Sequence, residues 1–189
     1  MRRILVFIRV TPEGYFTGAD GNFQDVAVYD AELNEDMMTD SSSVTYLFGR
    51  KTYEIMAAYW PGALNDPKLP PAMQKMAKSL NDNVKIVFSK TLRAPTWKNT
   101  RILPSLDPEE IRKMKQEEGD DMLVMGSGSI VSQLTQHGLV DEYMLVVGPM
   151  LLGKGRPLFE GVTAKTSLDL KEVKGYKSGN VLLRYVRKK

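Results

Sequence analysis

An α/β domain whose sheet is parallel in the middle and antiparallel at one edge is the fold class this chain predicts. Three observations carry it. Short apolar runs alternate with helix-like segments up to about residue 148, strands dominate afterwards, and polar glycine-containing turns follow several of the runs. With 189 residues, 42% apolar and 26% charged, the chain has core enough for a single domain over residues 1–189. It shows no internal repeat, low-complexity segment or linker.

Ile4-Leu5-Val6-Phe7-Ile8 is short and unbroken, as in a strand covered on both faces. Pro12, Gly14, Gly18 and Gly21 make residues 11–24 read as a loop. A helix is expected from about Ala31 to Ser43, where Leu33 and Met37 stand one turn apart, and a strand over Val44-Thr45-Tyr46-Leu47-Phe48. The next helix carries Tyr53, Met56 and Ala57 on one face and is expected to stop at Trp60-Pro61. Pro67, Pro70 and Pro71 mark a surface connection, followed by a helix over Ala72 to Leu80 and a strand over Val84 to Phe88.

Asp107-Pro108-Glu109-Glu110 opens another helix, with a capping aspartate, proline in the first turn and acids at the positive dipole end. Met122 to Met125 is a strand, and Gly126-Ser127-Gly128-Ser129 leads into a helix ending at His137-Gly138. Tyr143 to Val147 is a strand, and Gly148, Pro149, Gly153 and Gly155 make the loop after it. Ser167 to Val173 and Val181 to Val186, around Gly179, read as a hairpin.

Composition excludes whole classes of chemistry. There is no cysteine and one histidine, so disulfides, thiolate nucleophiles, cysteine zinc sites and multi-histidine metal sites are out. No metal is expected, and cytoplasmic residence is the simplest reading. The net charge of +3 is mild, and its densest cluster (Arg184, Arg187, Lys188, Lys189) reads as a solvated tail; no nucleic-acid partner is expected. No run of about 18 apolar residues occurs, and the N-terminal run is too short for a signal peptide, so no membrane partner is expected either.

Three turns follow predicted strands: Phe48-Gly49-Arg50-Lys51-Thr52, Phe88-Ser89-Lys90-Thr91 and Met125-Gly126-Ser127-Gly128-Ser129. Ligands of open α/β sheets bind at the carboxyl ends of strands. Backbone amides at a helix start, freed of side-chain bulk by glycine, suit phosphate. Arg50, Lys51 and Lys90 add charge there, and Thr52, Ser89, Ser127 and Ser129 add hydroxyl donors. Competing motifs fail. Gly126-Ser127-Gly128 lacks the third glycine of a dinucleotide fingerprint, Gly128 stands where a nucleophile elbow needs serine, and Gly153-Lys154-Gly155-Arg156 lacks P-loop spacing. His137 reads as a helix-end residue, and the eleven methionines, among them Met37, Met56, Met76, Met114 and Met125, read mostly as packing.

Five segments in this order resemble the dihydrofolate reductase-like superfamily, and within it the reductase domain of the riboflavin-biosynthesis deaminase–reductase and its stand-alone bacterial relatives. They are Gly14 to Gly21, Phe48 to Glu54, Val87 to Leu92, Gly126 to Ser129, and Leu139-Val140-Asp141-Glu142 followed by Pro149 to Gly155. The resemblance covers nearly the whole chain. It implies a three-layer fold with a mainly parallel sheet of about eight strands, flanked by helices. It also implies NADPH as cofactor, hydride transfer to a carbon–nitrogen double bond of a pyrimidine or pterin-like substrate, and a homodimer whose contact lies in the C-terminal half.

By resemblance, Gly49, Arg50, Lys51 and Thr52 would hold the pyrophosphate and the 2′-phosphate, the latter shared with Ser89 and Lys90. Gly126, Ser127, Gly128 and Ser129 would lie under the nicotinamide ribose and pyrophosphate. A Cβ branch at Gly126 or Gly128 is expected to block that approach. Where the family has serine, an apolar residue, aspartate and glycine after the first strand, this chain has Thr11, Pro12, Glu13 and Gly14, preceded at the family's small position by Arg9. Arg9, Asp25 and Lys154 are the candidate substrate contacts, with Arg9 and the basic loop 154–156 facing a substrate phosphate. Asp20, Asp25, Asp30 and Glu32 are open candidates for a proton donor, and no catalytic residue is assigned. The alternative is an NADP(H)-binding protein without efficient catalysis, a sensor or partner module.

Overall fold

Ile4–Val10 (β1) stands inside the sheet because it is apolar on both sides: Ile4, Val6, Ile8 and Val10 enter one buried cluster and Phe7 the other. The computed structural model describes residues 1–39 and 43–188. Around β1 an eight-stranded sheet is built, in the order β5-β4-β3-β6-β1-β7-β10-β9. Its strands are β3 (Thr45–Gly49), β4 (Lys85–Phe88), β5 (Thr100–Leu103), β6 (Met122–Met125), β7 (Glu142–Val147), β9 (Leu168–Gly175) and β10 (Val181–Arg187). A two-stranded ribbon, β2 (Tyr15–Gly18) with β8 (Gly155–Pro157), stands apart from it.

Parallel strands need covering on both faces, and the helices supply it. On one face lie α4 (Pro108–Gln116) and α5 (Gly128–Gln136), burying Ile111, Met114, Ile130, Val131 and Leu134. On the other lie α1 (Ala31–Thr39), α2 (Arg50–Ala63) and α3 (Pro71–Asp82), burying Leu33, Tyr53, Trp60, Met76, Ala77 and Leu80. Each fully buried leucine contributes about 1.5–3 kcal/mol. The pairs β1–β6, β1–β7, β3–β6, β3–β4 and β4–β5 are parallel; β7–β10 and β10–β9 are antiparallel. The fold is therefore the three-layer, mainly parallel one expected, with the C-terminal hairpin as its antiparallel edge.

Three local expectations change, and a fourth is left open. Residues 11–24 are not all loop, because they contain β2 and the start of a 3₁₀ turn at Phe23–Val26 capped by the Asn22 side chain. α2 does not stop at Trp60-Pro61. Pro61 falls in its last turn, where it forfeits one hydrogen bond, while buried Trp60 and Ala63 hold that turn to the core. β5 was not anticipated, since Thr100-Arg101-Ile102-Leu103 is an edge strand whose pattern is half exposed. The helix expected to reach Ser43 is described as far as Thr39, and residues 40–42 lie outside the described residues. Asp107 caps α4 as expected, accepting from Glu109 N at 2.9 Å, and His137 with Gly138 ends α5.

Candidate functional site

Because β4, β3, β6 and β1 run parallel and adjacent, their carboxyl ends open on one edge of the sheet. That places the three predicted turns in a row. Gly49 is paired in register with Phe88, which sets the Arg50 turn beside Ser89 and Lys90. On the other side Gly49 N donates to Ser127 Oγ at 2.9 Å, tying the first turn to the third. A Cβ on Gly126 would stand 3.5 Å from Thr52 Cγ2, so the starts of α5 and α2 face each other closely.

The backbone of the third turn is unusual. Gly126 (φ 71°) and Ser127 (φ 61°) are both left-handed, and only glycine adopts that conformation without strain. Ser127 is the N-cap of α5, yet its side chain caps no amide of its own helix and instead receives Gly49. α2 likewise has no side-chain cap. Two helix starts without side-chain caps, rich in hydroxyls, form a donor set suited to phosphate.

The side chains around them are partly committed. Arg50 is exposed and pairs with Glu54 at 3.0 Å. Lys51 and Lys90 are exposed, and Thr52 is half-buried. Ser89 Oγ accepts from Thr91 N and Leu92 N at 3.2 and 2.9 Å, which shapes the turn and leaves its O–H as a donor. Ser127 and Gly128 are buried and Ser129 is exposed.

The reason Gly128 must be glycine differs from the one expected. A Cβ there would come within 2.3 Å of Phe16 Cζ, so the position is closed by a protein ring and not held open for a ligand. Phe16 reaches it because the β2–β8 ribbon shifts register between Tyr15 and Thr17, leaving Phe16 as the bulged residue, and bulges re-aim side chains. The Arg156 guanidinium lies 5.3 Å from the centre of the Phe16 ring. Phe16, Gly128, Ser129, Ser132, Gln133, Arg156, Pro157 and Glu160 line a cavity of about 220 Å³ beside the start of α5. Phe16 was missed in the sequence, where nothing marks a bulge inside a glycine-rich loop.

β1 continues past the last residue of β6 that pairs with it. Phe7 stands opposite Met125, and Arg9 lies two residues further, beyond Gly126, whose N–H is bonded to Phe7 O at 3.2 Å. Arg9 is half-buried and donates from Nη1 to Val28 O at 2.8 Å. Burial lowers its pKa from the ordinary arginine value, and the nearby charge of Asp30 opposes that. So Arg9 does stand at the strand-end edge, tied to the segment before α1.

Asp30 accepts from Leu33 N at 2.9 Å and caps α1; that bond and those from Ser178 hold its carboxyl below the usual range. An ionised cap of this kind is a poor proton donor. Asp20 accepts from Asn22 N, Asp25 is exposed against Gly18 and accepts from Asn22 Nδ2, and Glu32 pairs with Lys174. Lys154 is exposed. Glu13 accepts from Leu152 N and Gly153 N, each at 2.8 Å, which joins the turn after β1 to the glycine-rich loop and lowers the Glu13 pKa.

The mainly parallel eight-stranded sheet with helices on both faces is the dihydrofolate reductase-like α/β fold. Residues 2–182 match the RibD C-terminal domain, and the chain belongs to that family. It is 30% identical over 190 residues to YyaP, an uncharacterized protein of Bacillus subtilis (strain 168), covering 97% of this chain and 94% of that one. Among solved structures it resembles a putative riboflavin biosynthesis protein from Shewanella sp. PV-4, with a TM-score of 0.72 at 18% identity and 99% of each chain covered. It also resembles the diaminohydroxyphosphoribosylaminopyrimidine deaminase/5-amino-6-(5-phosphoribosylamino)uracil reductase of Thermotoga maritima, with a TM-score of 0.64 at 14% identity. There 99% of this chain covers 57% of that one. No described helix is long and apolar enough to cross a membrane.

Proposed function

We propose that this protein is an NADPH-dependent reductase that passes a hydride to a carbon–nitrogen double bond of a pyrimidine or pterin-like heterocycle. One observation supports the reading above the rest: the Ser89, Arg50 and Gly126 turns stand side by side at the neighbouring ends of β4, β3 and β6, and the Gly49–Ser127 bond links the last two. The donor set fits the cofactor. The first-turn amides of α2 and α5 would take the diphosphate, and Arg50, Lys51, Ser89 and Lys90 the 2′-phosphate, with Thr52, Ser127 and Ser129 as hydroxyl donors. When bound, NADPH supplies the hydride, which leaves it as NADP⁺ while the substrate carbon is reduced and its nitrogen gains a proton. The chain's own part is to hold and orient the two molecules and keep water out of the edge.

Arg9 favours a second reading. A half-buried guanidinium stands at the strand-end edge, tied to Val28 O, as it would in a cofactor-binding module that turns over slowly or not at all. A steady-state assay that follows NADPH absorbance with dihydrofolate, then with the phosphoribosylaminopyrimidine, separates the two. Turnover with either substrate supports the reductase. Calorimetric NADPH binding with no turnover supports the module, and absence of NADPH binding overturns both.

A further inference from the structure

Asn180, the residue before β10, is 1% exposed, and its Oδ1 is the buried side-chain oxygen left without a hydrogen-bond partner among the described residues. Its orientation is fixed by chemistry. Nδ2 donates to Ser178 Oγ at 2.8 Å and to Val28 O at 3.3 Å, and a carbonyl oxygen can only accept, so the amide cannot be turned round. Val28 O is the same atom that receives Arg9 Nη1. Guanidinium and amide are therefore neighbours across one carbonyl, at the carboxyl ends of β1 and β7. The position a Cβ would take on Gly148 lies 3.8 Å from Asn180 Oδ1, 3.7 Å from Val26 O and 3.5 Å from Met150 Cε. The absent side chain thus leaves a methyl-sized gap beside two acceptor oxygens, with the end of an unbranched, readily displaced methionine on its border.

We propose that Arg9 and Asn180 form a donor–acceptor pair that reads an amide edge, a carbonyl oxygen next to an N–H, on the heterocyclic substrate. This rests on the reductase reading and replaces the expected contact of Arg9 with a substrate phosphate. Arg9 offers only donors, with most of its five N–H groups beyond the one given to Val28, and Asn180 Oδ1 offers only an acceptor. A fully ionised phosphate has no donor for Asn180. It would also lie near the ionised Asp30, which already balances Arg9. A ring lactam satisfies both groups at once and adds no charge. Leaving a buried acceptor unpaired is costly, so a site of this kind rejects ligands that lack the donor.

The test uses lumazine, which carries lactam N–H groups, and 1,3-dimethyllumazine, which carries none. Each is titrated calorimetrically into the protein, both free and saturated with NADP⁺, with ribose 5-phosphate as a third probe. The expected result is that lumazine binds at least tenfold more tightly than its dimethyl derivative. Arg9→Gln should weaken lumazine by about tenfold and leave ribose 5-phosphate unchanged, with thermal melting as the check that the variant folds. Equal binding of the two lumazines, no binding of either, or loss of ribose 5-phosphate in Arg9→Gln would overturn the pair. Should NADP⁺ fail to bind, the reductase reading falls, and the lumazine comparison on the free protein still decides this one.

Discussion

Ser127 holds a conformation that costs a non-glycine residue of the order of 1–3 kcal/mol, and it keeps its side chain nonetheless. What it gains is the bond from Gly49 N, which fastens two strand-end turns together. Next to it, Gly128 and Phe16 fit so tightly that neither can be judged alone. Gly128→Val forces the branched side chain against the ring, and overpacking of this kind costs about 1–3 kcal/mol. The expected outcome is a melting temperature lower by about 2–10 °C. Phe16→Ala removes the obstacle, so the double variant should melt above Gly128→Val alone. If the second substitution brings no recovery, the ring is not what makes glycine necessary, and open access for a ligand becomes the better reason.

Among the elements, β4 sets the height of the Ser89 turn, and a lysine anchors it. Lys85 is fully buried at the start of β4, where Nζ donates to Leu80 O and Asn83 O at the end of α3 and lies 4.6 Å from the Trp97 ring centre. Burial lowers its pKa from 10.5 to about 8. Between those two values the unfolded chain binds the proton more tightly than the folded one, so stability rises with pH across this window. The rise attributable to Lys85 is of the order of 3 kcal/mol. Urea unfolding at pH 7.5 and pH 10, values on either side of most of that window, should show it in the parent and not in Lys85→Met; equal slopes would mean that Lys85 stays protonated in its carbonyl cage. Nothing in Val84 to Phe88 marks this lysine, since its burial depends on where α3 ends. The same distinction separates what the sequence discloses from what it hides. β1, β3, β4 and β6 are legible because both of their faces are apolar, and α4 because its cap is local. β5 is hidden by its half-exposed edge pattern, whereas β2 and β8 depend on partners far along the chain, and so do the bulge at Phe16 and the unpaired oxygen of Asn180. The three turns could be read singly, but only the parallel register makes them a row.

For the whole molecule, the proposed cofactor would bridge segments that are far apart in the chain. The helix starts of α2 and α5 and the Ser89 turn belong to both faces of the sheet, so a ligand held by all three must favour the folded state over the unfolded one. Binding that is exclusive to the native state adds about 2.7 kcal/mol when the ligand is a hundredfold above its dissociation constant. In a chain of 189 residues that corresponds to a rise in melting temperature of about 5–10 °C. NADPH and NADH differ only in the 2′-phosphate, which meets Arg50, Lys51, Ser89 and Lys90 in the proposed site. A single charge-assisted bond there contributes about 1.5–3 kcal/mol before losses, although the pairing of Arg50 with Glu54 offsets some of it. NADPH should therefore bind at least tenfold more tightly than NADH by calorimetry, and at equal concentration it should raise the melting temperature further. Arg50→Gln combined with Lys90→Gln should bring the two cofactors closer together by weakening NADPH and leaving NADH nearly unchanged. Equal affinity for both in the parent would detach the Arg50 and Ser89 turns from any 2′-phosphate, and the row of turns would then need a different anion.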